Sequence, residues 1–471
     1  MSRVIACLAL LLLLAIPALG KPPVDGDPVA ELERVYLEAL AKLFTWCRGV
    51  HLNATADAVA RELLEFDPDH EKARRWFGYK QRHGRWVQAD GPKSRKDRNR
   101  AAKKSYPARR RERVDGLVDR YWEVYEALQG EQAEADRRRL RAIAVDRWPQ
   151  DARFRKAGGE VQRGGLWILE ESARSDGVYE RLRRVAKRLL VAAPEPAEAM
   201  PPPILLPFGL DWRGASRCGG ITVVSATSHH ESDRVAQHCA VAVKLFQLIF
   251  GVQTELPPDF TVALGSGEAD YRKVLSNAGL PEAIRKRLQH QSGFTLQEPP
   301  LLFASPSDAA HRLDGAVRKT FDLLREKTFG DFGRLGWARE GFGTFLTWLV
   351  CGTRLSSFGA LNVPTRSSTG RGASRQLGDS WCAGARRLAT RGELPELTYL
   401  LAMDHDAMKS DHLLAAYAFA VYLVTGRPGQ VQRFLSKTNN GRNTPDASRE
   451  VLAMDLLDLE ERFARWLEEC H

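Results

Sequence analysis

Ile221-Thr222-Val223-Val224-Ser225-Ala226, followed closely by Glu231 to Phe250, sets the architecture of the larger part of the chain. The first stretch is a short β-branched run, which predicts a strand. The second places Val235, Cys239, Ala242 and Phe246 on one face at helical spacing, which predicts a long amphipathic helix. Downstream the pattern repeats in reduced form. Phe260 to Leu264 predicts a second strand, Asp270 to Leu275 a short helix and Leu301 to Ala304 a third strand. Beyond these the periodicity is helical only, over roughly 308–327, 336–351, 378–390, 411–425 and 455–470. A small sheet followed by a helical body is an α+β domain, and it is expected to occupy residues 212–471.

Immediately upstream, residues 192–211 are proline-rich, including Pro201-Pro202-Pro203. Stiff sequence poor in hydrogen-bond donors predicts a domain linker. Before it, residues 21–191 read as a helix-rich region with an internal repeat, 68–87 and 149–168. Pro68 matches Pro149, Gly78 matches Gly159, Gln81-Arg82 matches Gln162-Arg163, and Gly84-Arg85-Trp86-Val87 matches Gly165-Leu166-Trp167-Ile168. Two copies of one supersecondary unit are expected to pack Trp86 and Trp167 in equivalent pockets, as a stability device or a partner-binding module.

The first twenty residues have the pattern of a cleavable secretory leader. Arg3 precedes an apolar run from Val4 to Ile16, Pro17 breaks it, and Ala18-Leu19-Gly20 offers small residues for cleavage. The run is shorter than the roughly twenty residues that span a bilayer. A periplasmic or secreted protein is therefore expected, an uncleaved anchor being the alternative. Beyond Cys7 in the leader, six scattered cysteines form no CxxC pair, which argues against a zinc ribbon or thioredoxin-type site. Sequence nearness alone suggests Cys218 with Cys239 and Cys351 with Cys382 as disulfides. Asn53-Ala54-Thr55 is a glycosylation sequon only in a cell that uses that pathway.

The net charge of +11 is concentrated. Residues 93–113 hold eleven Lys or Arg against Asp97 and Glu112. Such a tract reads either as a solvated face or as a contact for a polyanion: an acidic wall polymer, anionic lipid or nucleic acid. No aromatic platform runs through it to stack single-stranded bases.

Trp337-Ala338-Arg339-Glu340-Gly341-Phe342, opening a predicted helix, is similar to the W-x-x-E-G segment of gluzincin (peptidase-MA-like) metallopeptidases, including the domains of planctomycete-type exported proteins. The preceding strand, helix, strand and short helix fit that resemblance. Leu394-Pro395-Glu396-Leu397, Tyr417 to Leu423 and Leu456 to Leu467 resemble the family's later segments, so most of residues 215–470 is covered. The resemblance implies a gluzincin-like fold in which Glu340 matches the third zinc ligand.

The motif that would complete the site is absent. A working gluzincin needs His-Glu-x-x-His, whose two imidazoles share a helix face while the Glu polarises the zinc-bound water. No two histidines of this chain stand four apart. The motif's positions fall on Val317, Arg318 and Phe321, so both ligands become apolar and the general base becomes a cation. Arg318 is expected to pair with the carboxylate of Glu340. This vestigial site of Val317, Arg318, Phe321 and Glu340 implies no catalytic residues, no metal and no cofactor.

Other candidates are kept in view. His311 and Asp314 with Glu340 form an unorthodox ligand set. His229-His230-Glu231 and Asp404-His405-Asp406 read as helix-start and solvated-turn groups, or as weak metal sites. There is no GxSxG elbow or P-loop, and Gly370 to Gly378 reads as a surface loop. The expected function is that of an exported pseudopeptidase binding an unknown protein or envelope polymer. The alternatives are an envelope-associated structural or polyanion-binding protein, and a hydrolase with relocated ligands.

Overall fold

A computed structural model describes residues 27–89, 95–130, 133–289, 291, 293–296, 298, 300–306, 308–330, 335–355, 381–438 and 443–469. The leader-like residues 1–20 and residues 370–378 fall outside this set. The fold is mixed α/β, mainly helical with one small mixed sheet. The chain divides into two compact units between Glu160 and Val161.

In the first unit, α1 (Pro28–Gly49) starts where the Asp27 carboxylate accepts from the amides of Val29 and Ala30. It packs on α2 (Asn53–Phe66), burying Leu32, Tyr36, Leu40 and Phe44 along its apolar stripe. A short helix α3 (Glu71–Trp76) leads to a hairpin of β1 (Tyr79–Arg82) and β2 (Arg85–Gln88). The basic tract then forms α4 (Arg100–Arg110), capped by Asn99, and one π-helical turn (Arg111–Asp115). Helices α5 (Leu117–Ala127), α6 (Glu134–Arg147) and α7 (Ala152–Ala157) complete the unit. Arg147 is buried here over the rings of Tyr36 and Phe66 and forms an ion pair with Glu33.

The hairpin of β3 (Glu160–Arg163) and β4 (Leu166–Leu169) follows α7 as β1 and β2 follow α3. The helix and two strands at 71–76, 79–82 and 85–88 thus recur at 152–157, 160–163 and 166–169. The expectation of pocketed tryptophans is not met: Trp86 and Trp167 are each only half-buried, because a two-stranded ribbon has no second layer to cover both faces.

The second unit is built on a sheet in the order β5 (Ala197–Glu198), β6 (Gly214–Cys218), β7 (Ile221–Ser225), β8 (Thr261–Leu264), β10 (Leu301–Ala304), β9 (Gly293–Leu296). The inner strands β7, β8 and β10 are parallel, and the outer pairings are antiparallel. Alternate residues of the inner strands enter different cores. Val223, Val262 and Leu302 join α9 (His229–Phe250), whereas Val224, Ala263 and Phe303 join α10 (Glu268–Asn277) and Phe208. A short helix α11 (Glu282–Leu288) precedes β9. The three strands read at 221–226, 260–264 and 301–304 are present. Strands β6 and β9 escape a sequence reading because Gly214-Ala215-Ser216-Arg217-Cys218 has no clear apolar alternation and the alternating Phe294-Thr295-Leu296 is too short to stand out.

The helical body comprises α12 (Ala309–Phe329), α13 (Gly336–Cys351), α14 (Trp381–Thr390), α15 (Leu397–Ala402), α16 (Ser410–Gly426), α17 (Val431–Lys437), α18 (Thr444–Ala447) and α19 (Leu456–Glu469). Helix α16 is buried along nearly its whole length, and α13 packs on it where the Gly341 Cα faces the Ala416 carbonyl.

The proline-rich segment does not divide the chain as expected. Within it Ala197 and Glu198 pair as β5 on the edge of β6, and the helical turn Pro203–Phe208 buries Leu205 and Phe208. The helix before it, α8 (Glu170–Val191), belongs to the second unit. There the Glu171 carboxylate accepts from Arg462 at 2.7 and 2.8 Å and also bonds Arg427, while Trp348 Nε1 donates to Tyr179 at 2.6 Å. The boundary therefore lies some fifty residues earlier than residue 210. Cys47, Cys218, Cys239, Cys351 and Cys382 are free thiols, so neither suggested disulfide is present. Burial pushes the Cys239 and Cys382 thiols up to about 12. Among the described residues no helix is long and apolar enough to cross a membrane.

Candidate functional site

Val317, Arg318 and Phe321 lie on α12 and Glu340 on α13, and the two helices bring Arg318 and Glu340 together. Asp308 caps α12 by accepting from the Ala310 amide, and the helix then runs through the core with Val317 and Phe321 on one buried face. Phe321 meets Phe246 and Phe250 of α9, with ring centroids 5.6 and 6.3 Å apart. At the start of α13 the Gly336 amide donates to the Met403 carbonyl, and the His405 backbone lies so close that a Cβ on residue 336 would stand 2.7 Å from His405 Cα. The close approach carries the His405 ring to the same site.

Arg318 is fully buried, and Glu340 is 1% exposed. Arg318 Nη2 lies 3.0 Å from Glu340 Oε2 and donates to the Arg339 carbonyl at 2.8 Å. Its Nη1 donates to the Glu340 carbonyl at 3.2 Å and to Thr344 Oγ1 at 2.7 Å. The guanidinium fork is thus spread over the first turns of α13, a geometry that a lysine ammonium does not reproduce. Room for it comes from Gly343, where a Cβ would stand 2.3 Å from Arg318 Nε. His405 Nε2 lies 3.5 Å from Glu340 Oε1, and its Nδ1 is 2.8 Å from Asp406 Oδ1.

One helical turn beyond Arg318, Asp322 is also fully buried and accepts from Arg339 Nε at 3.2 Å, with Arg339 Nη2 at 3.1 Å and Arg325 Nε at 3.8 Å. Burial alone would raise its carboxyl pKa. The charges of Arg339, Arg325, Arg318 and Lys319 outweigh that effect and hold it below the ordinary carboxylate value. The contact between α12 and α13 thus holds hydrocarbon, a guanidinium paired with one buried carboxylate, and a second buried carboxylate with cations around it.

The other sequence candidates take different roles. His311 Nδ1 is 2.8 Å from the capping Asp308, and Asp314 accepts from Thr353 Oγ1 at 2.9 Å and the Leu355 amide at 3.0 Å. Glu231 is buried against Arg312, with Nε 2.8 Å and Nη2 2.7 Å from its Oε1, and joins α9 to α12. His229 stands 3.6 Å from Asp233 on the exposed start of α9. Among the described residues, no group of three or more His, Cys, Asp or Glu side chains is placed to hold a metal ion.

Sequence reasoning had not placed His405, Asp322 or Thr344 at the site. Thr344 follows Glu340 by four, so helical periodicity could have found it. His405 reaches Glu340 only through tertiary packing, for which no spacing rule exists. Compared with known proteins, the chain matches no family model, no curated protein and no solved structure.

Proposed function

We propose that the chain is an exported pseudopeptidase, a non-catalytic binding or scaffold protein on a gluzincin-like frame that has lost its zinc site. The observation that carries this reading is the buried Arg318–Glu340 pair. In this reading Glu340 is the remnant third ligand, and Arg318 supplies the positive charge that a zinc ion would otherwise provide. A guanidinium fixed by several acceptors opposes entry of a dication electrostatically, and it offers no base to activate water. Val317 and Phe321 give the same result at the two former ligand positions, since neither carries a lone pair for a metal. The recurring helix and hairpin at 71–88 and 152–169 form, on this reading, two copies of one interaction module. Export rests on the leader-like pattern of residues 1–20.

Turnover tests the reading. The purified full chain, incubated with casein and with a quenched-fluorescence peptide library, is expected to cleave neither, with or without added zinc. Zinc-dependent cleavage that disappears in Glu340→Gln would contradict it.

A further inference from the structure

We propose that the outward face of α4 is a docking surface for a linear polyanion whose charges repeat along an exposed backbone. The tract around α4 divides into two sets of cations. One set is built into the unit. Arg95 bonds Asp57 at 2.7 Å and lies over the Trp76 ring, Arg110 bonds both oxygens of Glu62 at 2.8 and 2.9 Å, and Arg109 stands 3.1 Å from Glu112. The other set is exposed: Lys96, Arg98, Arg100, Lys104 and Arg111.

The tract's own carboxylates are already engaged. Asp97 accepts from the Thr55 amide and hydroxyl at 3.0 Å and lies 3.3 Å from Lys103, while Glu112 serves Arg109. Asp97 is thus turned inward, and the one exposed acid of the tract, Glu112, is held by Arg109, so the outward charge of the tract is mainly cationic. The backbone beneath them is fixed by the Asn99 cap, by the bridge between Leu52 and Asp97, and by the Arg98 amide donating to the His51 carbonyl. Arg100, Lys104 and Arg111 recur at spacings of four and seven, which places them on one side of the helix about 6 and 10 Å apart along its axis. A rigid row of this kind neutralises successive charges of a chain laid along it and releases their counterions.

The chemistry of the face narrows the occupant. Its exposed residues between the cations are Ala101, Ser105, Pro107 and Ala108, with no large apolar group to enter a bilayer. Tyr106 is half-buried and offers no free stacking platform for bases. The choice of an envelope-type polymer over duplex DNA rests on the export reading above; the charged surface itself does not.

The test uses the full chain and long-chain inorganic polyphosphate as probe, with affinity measured across a salt series. Wild type is expected to bind with log K falling linearly in log salt. The triple variant Arg100→Gln, Lys104→Gln, Arg111→Gln is expected to lose at least about tenfold at low salt and about two units of slope, from three contacts at about 0.7 each. A control triple, Arg272→Gln, Lys286→Gln, Lys437→Gln, removes three exposed cations elsewhere and is expected to stay within twofold. Equal losses in the two triples overturn the assignment to α4. Tighter binding to duplex DNA overturns the choice of an envelope-type polymer, and tighter binding to phosphatidylglycerol vesicles at equal charge concentration overturns the choice of a linear polymer.

Discussion

Replacing Arg318 by methionine removes the cation while filling most of its volume, and it isolates what the pair does for the fold. The variant leaves the Glu340 side chain, 1% exposed, without the guanidinium that lies 3.0 Å from it. Removing one member of a buried ion pair costs about 3–5 kcal/mol, because the remaining charge keeps its desolvation penalty. The other lost contacts add less. The Arg339 and Glu340 carbonyls lie in the first turns of α13 and keep their helical amide donors, and the Thr344 hydroxyl can rotate. A loss of about 4 kcal/mol is expected for Arg318→Met. The double variant Arg318→Met, Glu340→Met has no orphaned charge and is expected to recover at least about 2 kcal/mol of it.

Because the chain has two compact units, a single global unfolding free energy is not the right observable. Hydrogen exchange read by mass spectrometry in urea, on peptides from α12 and α13, reports the second unit directly. A cost below about 1 kcal/mol for the single variant, or a double variant as unstable as the single, would refute the claim that the pair is a closed, mutually compensating unit.

Asp322 gives a pH signature. Its folded carboxyl is held below the ordinary value, so its stabilisation is complete above the unfolded pKa of about 3.9 and is lost as pH falls through the lower folded value. The second unit is expected to lose stability progressively below about pH 4, with a shallower acid dependence in Asp322→Asn; parallel acid profiles would count against it. Gly341→Ala places a methyl 2.2 Å from the Ala416 carbonyl oxygen, a backbone atom that cannot swing aside. Hydrogen exchange in urea, read on peptides from α13 and α16, is expected to show a loss of about 1–3 kcal/mol. Gly49→Ala, with nothing within 4 Å, is expected to stay within about 0.5 kcal/mol, and equal effects would remove the packing argument.

The second unit's secondary structure was largely legible because its patterns are local. The run at 221–226 and the helical face of Val235, Cys239, Ala242 and Phe246 each carry their own periodicity, and Ile221–Ser225 and His229–Phe250 form as read. The proline-rich stretch misled because composition reports stiffness, and a stiff segment can lie on a sheet edge as well as between domains. The limit of the first unit was invisible for a related reason. Helix α8 is strongly charged along its length, and its attachment depends on Glu171, Ser175 and Tyr179 meeting distant partners. At the site, periodicity placed Val317, Arg318, Phe321 and Glu340 on two helices, while the resemblance alone singled them out. His405 and the cation group around Asp322 could not, since they depend on how those helices cross.

Metal stoichiometry most directly tests the proposal that Arg318 takes the place of a zinc ion. The purified full chain is dialysed against trace zinc and its metal content read by elemental mass spectrometry. Less than about a tenth of an equivalent per chain is the predicted result, because a buried guanidinium already compensates Glu340. About one zinc per chain, lost in Glu340→Gln, would contradict the account and return the chain to the metal-dependent hydrolases.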